Sequence, residues 1–288
     1  RLPGGTLMRK PLTNLARPSG ALAMVAVDQR EALRGMFAPH QSTPVPDSQL
    51  TQFKVDVARE LSPFASALLV DQEFGIDAII DQKALNSGCG LIAAADLLVG
   101  PAGGAATDTA IDPDVDPIRM RDIGSVGLKF LVLWRNDESP DVRAKLVEDF
   151  NKLCEISGLP SIIEIIVKPP TDSSRSFNRE EELIIAAREA AAWKPDLYKA
   201  EVPFHGEGDL NLVTKNADRI SEAIGSPWVV LSNGVKQPFF NEAVKACAMG
   251  GASGFLAGRA VWADIVSSSD IPKALHEISI PRLEQLAE

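Results

Sequence analysis

Short apolar runs recur along the chain at 21–27, 66–70, 90–94, 127–133, 161–167, 197–202, 228–232 and 254–256. Most are continuous rather than alternating, the pattern of parallel strands covered on both faces. Between them the apolar period lengthens to that of helices. Leu50, Phe53, Val57 and Leu61 recur at three- and four-residue steps, with Asp47 as the expected cap and Pro63 as the stop. Ser139-Pro140 opens a second helix with a Val142, Leu146, Phe150, Leu153 stripe, closed by Gly158. Asn178 and Glu181 have capping-box spacing before Leu183, and Pro238 opens a helix that ends near Gly250-Gly251. Eight strand–helix cycles in this length predict an α/β fold, a single (β/α)8 TIM barrel, rather than a doubly wound sheet. Residues 1–18, with Gly4-Gly5 and three prolines, read as a loose lead-in with one helical turn near Leu12 to Ala16; residues 19–288 read as the barrel. Residues 99–117, rich in Gly, Pro, Ala and Asp, read as a long loop.

Composition narrows the function classes. With 45% hydrophobic and 24% charged residues the 288-residue chain can bury a large core. A net charge of −10 and the lack of a Lys/Arg run argue against nucleic acid. No apolar stretch reaches the length of a membrane span, and no signal-peptide pattern is seen, so a cytoplasmic protein is expected. The scattered Cys89, Cys154 and Cys247 read as buried thiols in a reducing compartment. Three histidines (His40, His205, His276) are too few and too scattered for a multi-histidine zinc site, so neither metal nor cofactor is expected. His205 reads as an exposed loop residue.

Polar residues that interrupt barrel strands are the informative ones, because the interior should hold branched apolar side chains. Asp28 and Asp71 follow the first two strands, Lys129 lies in the fourth, Glu164 amid four isoleucines in the fifth, and Lys199 and Glu201 in the sixth. By the strand period of two, Lys199 and Glu201 share one face, and Ala200 faces the helices. Isolated, each charge would be costly to bury, so Lys129, Glu164 and Lys199 are expected to form a cluster. A neighbouring ammonium and partial burial both lower a lysine's pKa, giving a free amine able to attack a ketone. Ser232-Asn233-Gly234 and Gly258-Arg259 follow the seventh and eighth strands, where barrels often bind phosphate. No GxGxxG, Walker or GxSxG motif is present.

Several longer segments carry a resemblance: Ala23 to Glu31, Leu68 to Phe74, Leu128 to Arg135, Asp196 to Pro203, and Ala252 to Trp262. From about Ser19 to the C-terminus the chain resembles the class I ketose-phosphate aldolases, the family of tagatose 1,6-bisphosphate and sulfofructose phosphate aldolases. The resemblance implies a TIM barrel that reversibly cleaves a ketose phosphate through a lysine Schiff base. It implies Lys199 as the Schiff-base lysine, Glu164 and Lys129 as its partners, and Asp28 as the acid contacting substrate hydroxyls. Ser232, Asn233, Gly234, Gly258 and Arg259 match the phosphate loops. Asp28-Gln29-Arg30-Glu31, Trp134-Arg135 and Pro169-Pro170 are most similar to the sulfofructose phosphate branch, which would yield dihydroxyacetone phosphate and 3-sulfolactaldehyde. Gln29 and Arg30 are then the expected contacts for the distal sulfonate, with Arg30 alternatively bridging Glu31 or a neighbouring subunit. A tagatose 1,6-bisphosphate aldolase and a non-catalytic sugar-phosphate-binding barrel are the alternatives. The family and an exposed Trp262 neighbourhood imply a homo-oligomer, dimer or tetramer.

Overall fold

A computed structural model describes residues 9–288, so Gly4-Gly5 and the first proline lie outside the described residues. Ten strands form: β1 (Leu22–Ala26), β2 (Ala67–Val70), β3 (Gly90–Ala94), β4 (Asp96–Val99), β5 (Asp108–Ile111), β6 (Ser125–Trp134), β7 (Ser161–Val167), β8 (Leu197–Glu201), β9 (Trp228–Leu231) and β10 (Gly254–Ala257). Eight close a parallel barrel in the order β1-β10-β9-β8-β7-β6-β3-β2. The eight apolar runs each supply one barrel strand.

Alternation divides the core. Leu22, Met24, Ala26, Ala67, Leu69, Ile92, Ala94, Ile162, Leu197, Val229 and Leu256 fill the barrel interior. The intervening residues, among them Ala23, Val25, Leu68, Ile163, Tyr198, Ala200 and Phe255, face the helices. Helix Asp47–Leu61 buries Leu50, Phe53, Val57 and Leu61, and Phe53 stands edge-on to Trp262 with ring centroids 5.2 Å apart. Trp262 is fully buried and its indole N–H donates to Ala26 O, so the expected exposed tryptophan patch does not exist. The first helical residue there is Asp47, with Pro46 as cap; the Asp47 carboxylate accepts from Arg34 instead. Ser139 caps helix Pro140–Ser157 by accepting from Asp141 N, and Gly158 ends it at φ 76°. Asn178 accepts from Glu181 N, but the Glu181 side chain pairs with Arg219 rather than completing a box.

Two segments differ from the sequence reading. The expected loop at 99–117 is interrupted by a strand: β5 (Asp108–Ile111) pairs antiparallel with β4 as a hairpin, leaving 100–107 and 112–116 as the loop parts. The hairpin tip packs on helix Glu31–Phe37, where Glu31 accepts from Gly103 N and a side chain at Gly35 would strike Gly103 O. The lead-in is docked over its described part. Leu15 is fully buried in the interior cluster with Leu12 and Ala16 against it, and Lys10 Nζ donates to Cys154 O and Leu159 O. All three cysteines are buried and free. Among the described residues no helix is long and apolar enough to cross a membrane.

Candidate active site

Charge enters the barrel interior one layer above its apolar floor. The register sets Lys129 opposite Ile162, and Glu164 opposite both Leu131 and Lys199, so the three polar residues occupy adjacent inward positions on β6, β7 and β8. Glu164 Oε2 lies 2.9 Å from Lys129 Nζ and 2.9 Å from Lys199 Nζ. Lys129 Nζ also lies 2.9 Å from Asp28 Oδ2 and 2.9 Å from Asp96 Oδ2. All five groups are buried. Such burial is tolerable only because each charge is paired and hydrogen-bonded.

The electrostatics are lopsided. Burial would lower the Lys129 pKa, but Asp28, Asp96 and Glu164 together hold it well above the ordinary lysine value. Burial would raise Asp28, yet Lys129 and Lys199 hold its carboxyl well below the usual range. Glu164 is likewise held down by Lys129 and Lys199 against the upward pull of burial. Lys199 has one ion-pair partner among the described residues, Glu164.

Behind this cluster runs a second buried layer. Asp96, fully buried at the start of β4, accepts from Leu131 N as well as Lys129, and its other oxygen receives both Arg30 terminal nitrogens at 3.3 Å. Arg30 Nε lies 4.0 Å from Asp71, which accepts from Lys54 and Phe74 N. Lys54 also donates to Val27 O and Gln29 O, tying the turn after β1 to helix Asp47–Leu61. Arg30 was expected at the distal anion. Its guanidinium is instead buried between Asp96 and Asp71, and it bridges neither Glu31, which pairs with Arg34, nor a surface partner. Gln29 lies beside Gly258, its Oε1 buried without a partner.

On the β9–β10 side, Arg259 donates to Asn233 Oδ1, and Asn233 in turn donates to Glu201. Glu201 is buried, accepting also from Val167 N and Arg179. Ser232 Oγ accepts from Ala260 N, at the start of the short helix Arg259–Trp262. Gly258 has no room for a side chain, since one would lie 2.6 Å from Ala26 O. Gly234, at φ 75°, abuts His205, which is half-buried rather than exposed, and whose Nδ1 lacks a partner. Phe204 and His205 both adopt positive φ, a strained turn directly after the Lys199 strand. Lys129, Glu164 and Lys199 lie midway along their strands, and Asp28 stands past the carboxyl end of β1, the end at which barrels carry chemistry. A groove of about 550 Å³ at the opposite end is lined by Lys10, Asn151, Lys194 and Asp196, away from this cluster.

A family model described as DeoC/LacD family aldolase matches residues 22–264, the span that carries every residue of this cluster. The chain is a DeoC/LacD-family aldolase. The aldolase is 30% identical over 284 residues to tagatose 1,6-diphosphate aldolase 1 of Enterococcus faecalis, covering 89% of this chain and 84% of the relative. It is 28% identical to the tagatose 1,6-diphosphate aldolase of Lactococcus lactis, covering 90% and 85%. Among solved structures it superposes on the fructose-bisphosphate aldolase of Slackia heliotrinireducens with a TM-score of 0.63 at 18% identity, covering 93% of this chain and 85% of that one. An archaeal fructose 1,6-bisphosphate aldolase, caught with its catalytic lysine bound to the carbinolamine intermediate, superposes at 0.60 with 13% identity, covering 95% and 98%. These superpositions establish the shared barrel.

Proposed function

We propose that this aldolase cleaves a ketose 1-phosphate through an imine at Lys199. The observation that carries the reading is the asymmetric sharing of Glu164: one carboxylate touches two buried lysines, and Lys199 has no second carboxylate in ion-pair contact, whereas Lys129 has two more. Glu164 takes a proton from Lys199, whose amine adds to the C2 ketone. Loss of water, with Glu164 as proton donor, leaves a protonated imine that serves as the electron sink. A base, Glu164 or the substrate phosphate, accepts the C4 hydroxyl proton as the C3–C4 bond breaks, and the aldehyde departs. The resulting enamine is protonated at C3, and hydrolysis returns the amine and releases dihydroxyacetone phosphate.

Around this centre Lys129 and Asp28 act as a fixed ion pair: the ammonium stabilises developing oxyanions, and the carboxylate orients substrate hydroxyls. Ser232, Asn233, Gly234, Gly258 and Arg259 would receive the C1 phosphate, with Arg259 supplying the charge-assisted contact. The relatives favour tagatose 1,6-bisphosphate as substrate. Sulfofructose 1-phosphate is the second reading, favoured by the Asp28 to Glu31 and Trp134-Arg135 motifs. Both are tetrahedral-anion ketoses, separable by a few polar contacts.

The test is a triose-release assay with both sugars, run beside borohydride reduction in dihydroxyacetone phosphate. Release of dihydroxyacetone phosphate together with a reduced adduct that disappears in Lys199→Ala is expected. Turnover without an adduct would overturn the imine route, and ligand-dependent stabilisation without cleavage would make the chain a binding barrel.

A further inference from the structure

The strands β6, β3, β2 and β1 are consecutive in the closed order, and each carries or is followed by a buried charge that touches another of the set. Lys129 Nζ lies 2.9 Å from Asp28 Oδ2 and 2.9 Å from Asp96 Oδ2. The other Asp96 oxygen accepts from both terminal nitrogens of Arg30 at 3.3 Å. Arg30 Nε stands 4.0 Å from Asp71 Oδ2, and Asp71 Oδ1 lies 2.5 Å from Lys54 Nζ. Lys54 closes the circuit. Its ammonium donates to Val27 O at 2.6 Å and to Gln29 O at 2.7 Å, the carbonyls on either side of Asp28. Asp28 is thus held twice, through its carboxylate by Lys129 and through its backbone by Lys54.

The circuit is dry. Lys54, Asp71 and Asp96 are fully buried, and Asp28, Arg30 and Lys129 are nearly so. Buried charges of this kind are a weak source of stability, because apolar side chains of similar volume often do as well or better. What they supply is fixed geometry. Among the described residues the circuit makes one ion pair toward the Lys199 side of the mouth, Lys129 Nζ with Glu164 Oε2 at 2.9 Å. Asp96 decides where that ammonium stands. Its Oδ2 accepts from Lys129 and from Leu131 N, two residues along the same strand, so the carboxylate is tied to the backbone of β6 as well as to the side chain it holds.

We propose that Asp96 is a positioning residue for the aldol cleavage. By fixing Lys129 directly, and the turn that carries Asp28 through Arg30, Asp71 and Lys54, it sets the Lys129–Asp28 pair against the substrate hydroxyls without touching substrate itself. This inference rests on the Schiff-base reading and deepens it. Without the Asp96 charge, Lys129 keeps Asp28 and Glu164 and is drawn toward the carboxylate that Lys199 shares. An asparagine at 96 can turn its oxygen to Lys129 or to Arg30 but not to both, and its amide N–H then meets a cation on the other side.

The experiment counts working sites before it measures rate. Borohydride reduction in saturating dihydroxyacetone phosphate, read by intact mass, gives the fraction of chains that form the adduct. Turnover of whichever of tagatose 1,6-bisphosphate and sulfofructose 1-phosphate the parent cleaves is then expressed per trapping site. In Asp96→Asn the adduct should persist while kcat per trapping site falls about tenfold or more, because Lys199 is untouched and the hydroxyl contacts are misplaced. Arg30→Lys keeps the charge and loses the fork on Asp96; it should lose roughly threefold, and it carries the test if Asp96→Asn does not fold. Parental kcat per trapping site in Asp96→Asn, or in Arg30→Lys where only that variant folds, overturns the inference, since a purely structural Asp96 would lower only the number of folded sites. A folded Asp96→Asn that traps no adduct also overturns it, by placing the effect on imine formation. If the parent itself traps no adduct, the Schiff-base reading has failed; an adduct in the parent with unchanged kcat per site refutes the positioning role alone.

Discussion

Two lysines reach into the same barrel layer and share one carboxylate, yet their surroundings differ. Lys129 is ringed by Asp28, Asp96 and Glu164, and Asp96 is itself backed by Arg30, Asp71 and Lys54. Lys199 has Glu164. The chemical identity of the side chain is the same, so its role is set by how many anions must be left behind when its proton goes. Deprotonating Lys129 would strand three buried carboxylates around a neutral amine. Deprotonating Lys199 leaves Glu164 still paired with Lys129, the contrast that supports the proposal of Lys199 as the nucleophile.

The sharpest way to break this contrast is to exchange each lysine for methionine. Lys199→Met is expected to remove turnover and the reduced adduct together while the barrel stays folded, read by triose release and intact mass. Glu164→Gln, which keeps the shape but cannot carry protons, should lower kcat by roughly 10²–10⁴-fold. Lys129→Met should act mainly on the fold: removing the cation shared by three buried carboxylates should cost about 3–5 kcal/mol in denaturant unfolding, clearly more than Lys199→Met. A larger loss in Lys199→Met would reverse the comparison.

A subtler effect concerns pH. Asp28 has a lowered native pKa, so its contribution to stability is present above the unfolded value near about 4 and fades as pH falls through the native one. Asp28→Asn should therefore be destabilised at pH 7, and its gap from the parent should close below about pH 4. Lys129 has the opposite sign. Its raised pKa gives a contribution that is full below about pH 10 and is lost only as pH rises through the native value. Lys129→Met should show no comparable closing of the gap down to about pH 5.

The barrel was legible because strands buried on both faces leave continuous apolar runs, and proline, glycine and capping residues mark the joins. The hairpin was not. Asp108 and Ala110 are weak strand formers, and Pro101, Gly103 and Gly104 at its tip are loop residues. The Lys129, Glu164 and Lys199 cluster could be read because strand parity forces inward charges to meet. The same parity, carried two residues past Ala94, reaches Asp96, which ending the third run at Ala94 hid. Arg30 shows where local reading stops. It looks like a free cation on a loop, and its partners Asp71, just past β2, and Asp96, at the start of β4, are distant in sequence and meet it only in the folded chain.

The central claim is that the two lysines divide the work, and peptide-level mass spectrometry after borohydride reduction with dihydroxyacetone phosphate tests it most directly. The account predicts the reduced triose-phosphate adduct on the peptide containing Lys199 and none on the peptide containing Lys129. An adduct on Lys129 in the parent protein, with Lys199 unmodified, would contradict it.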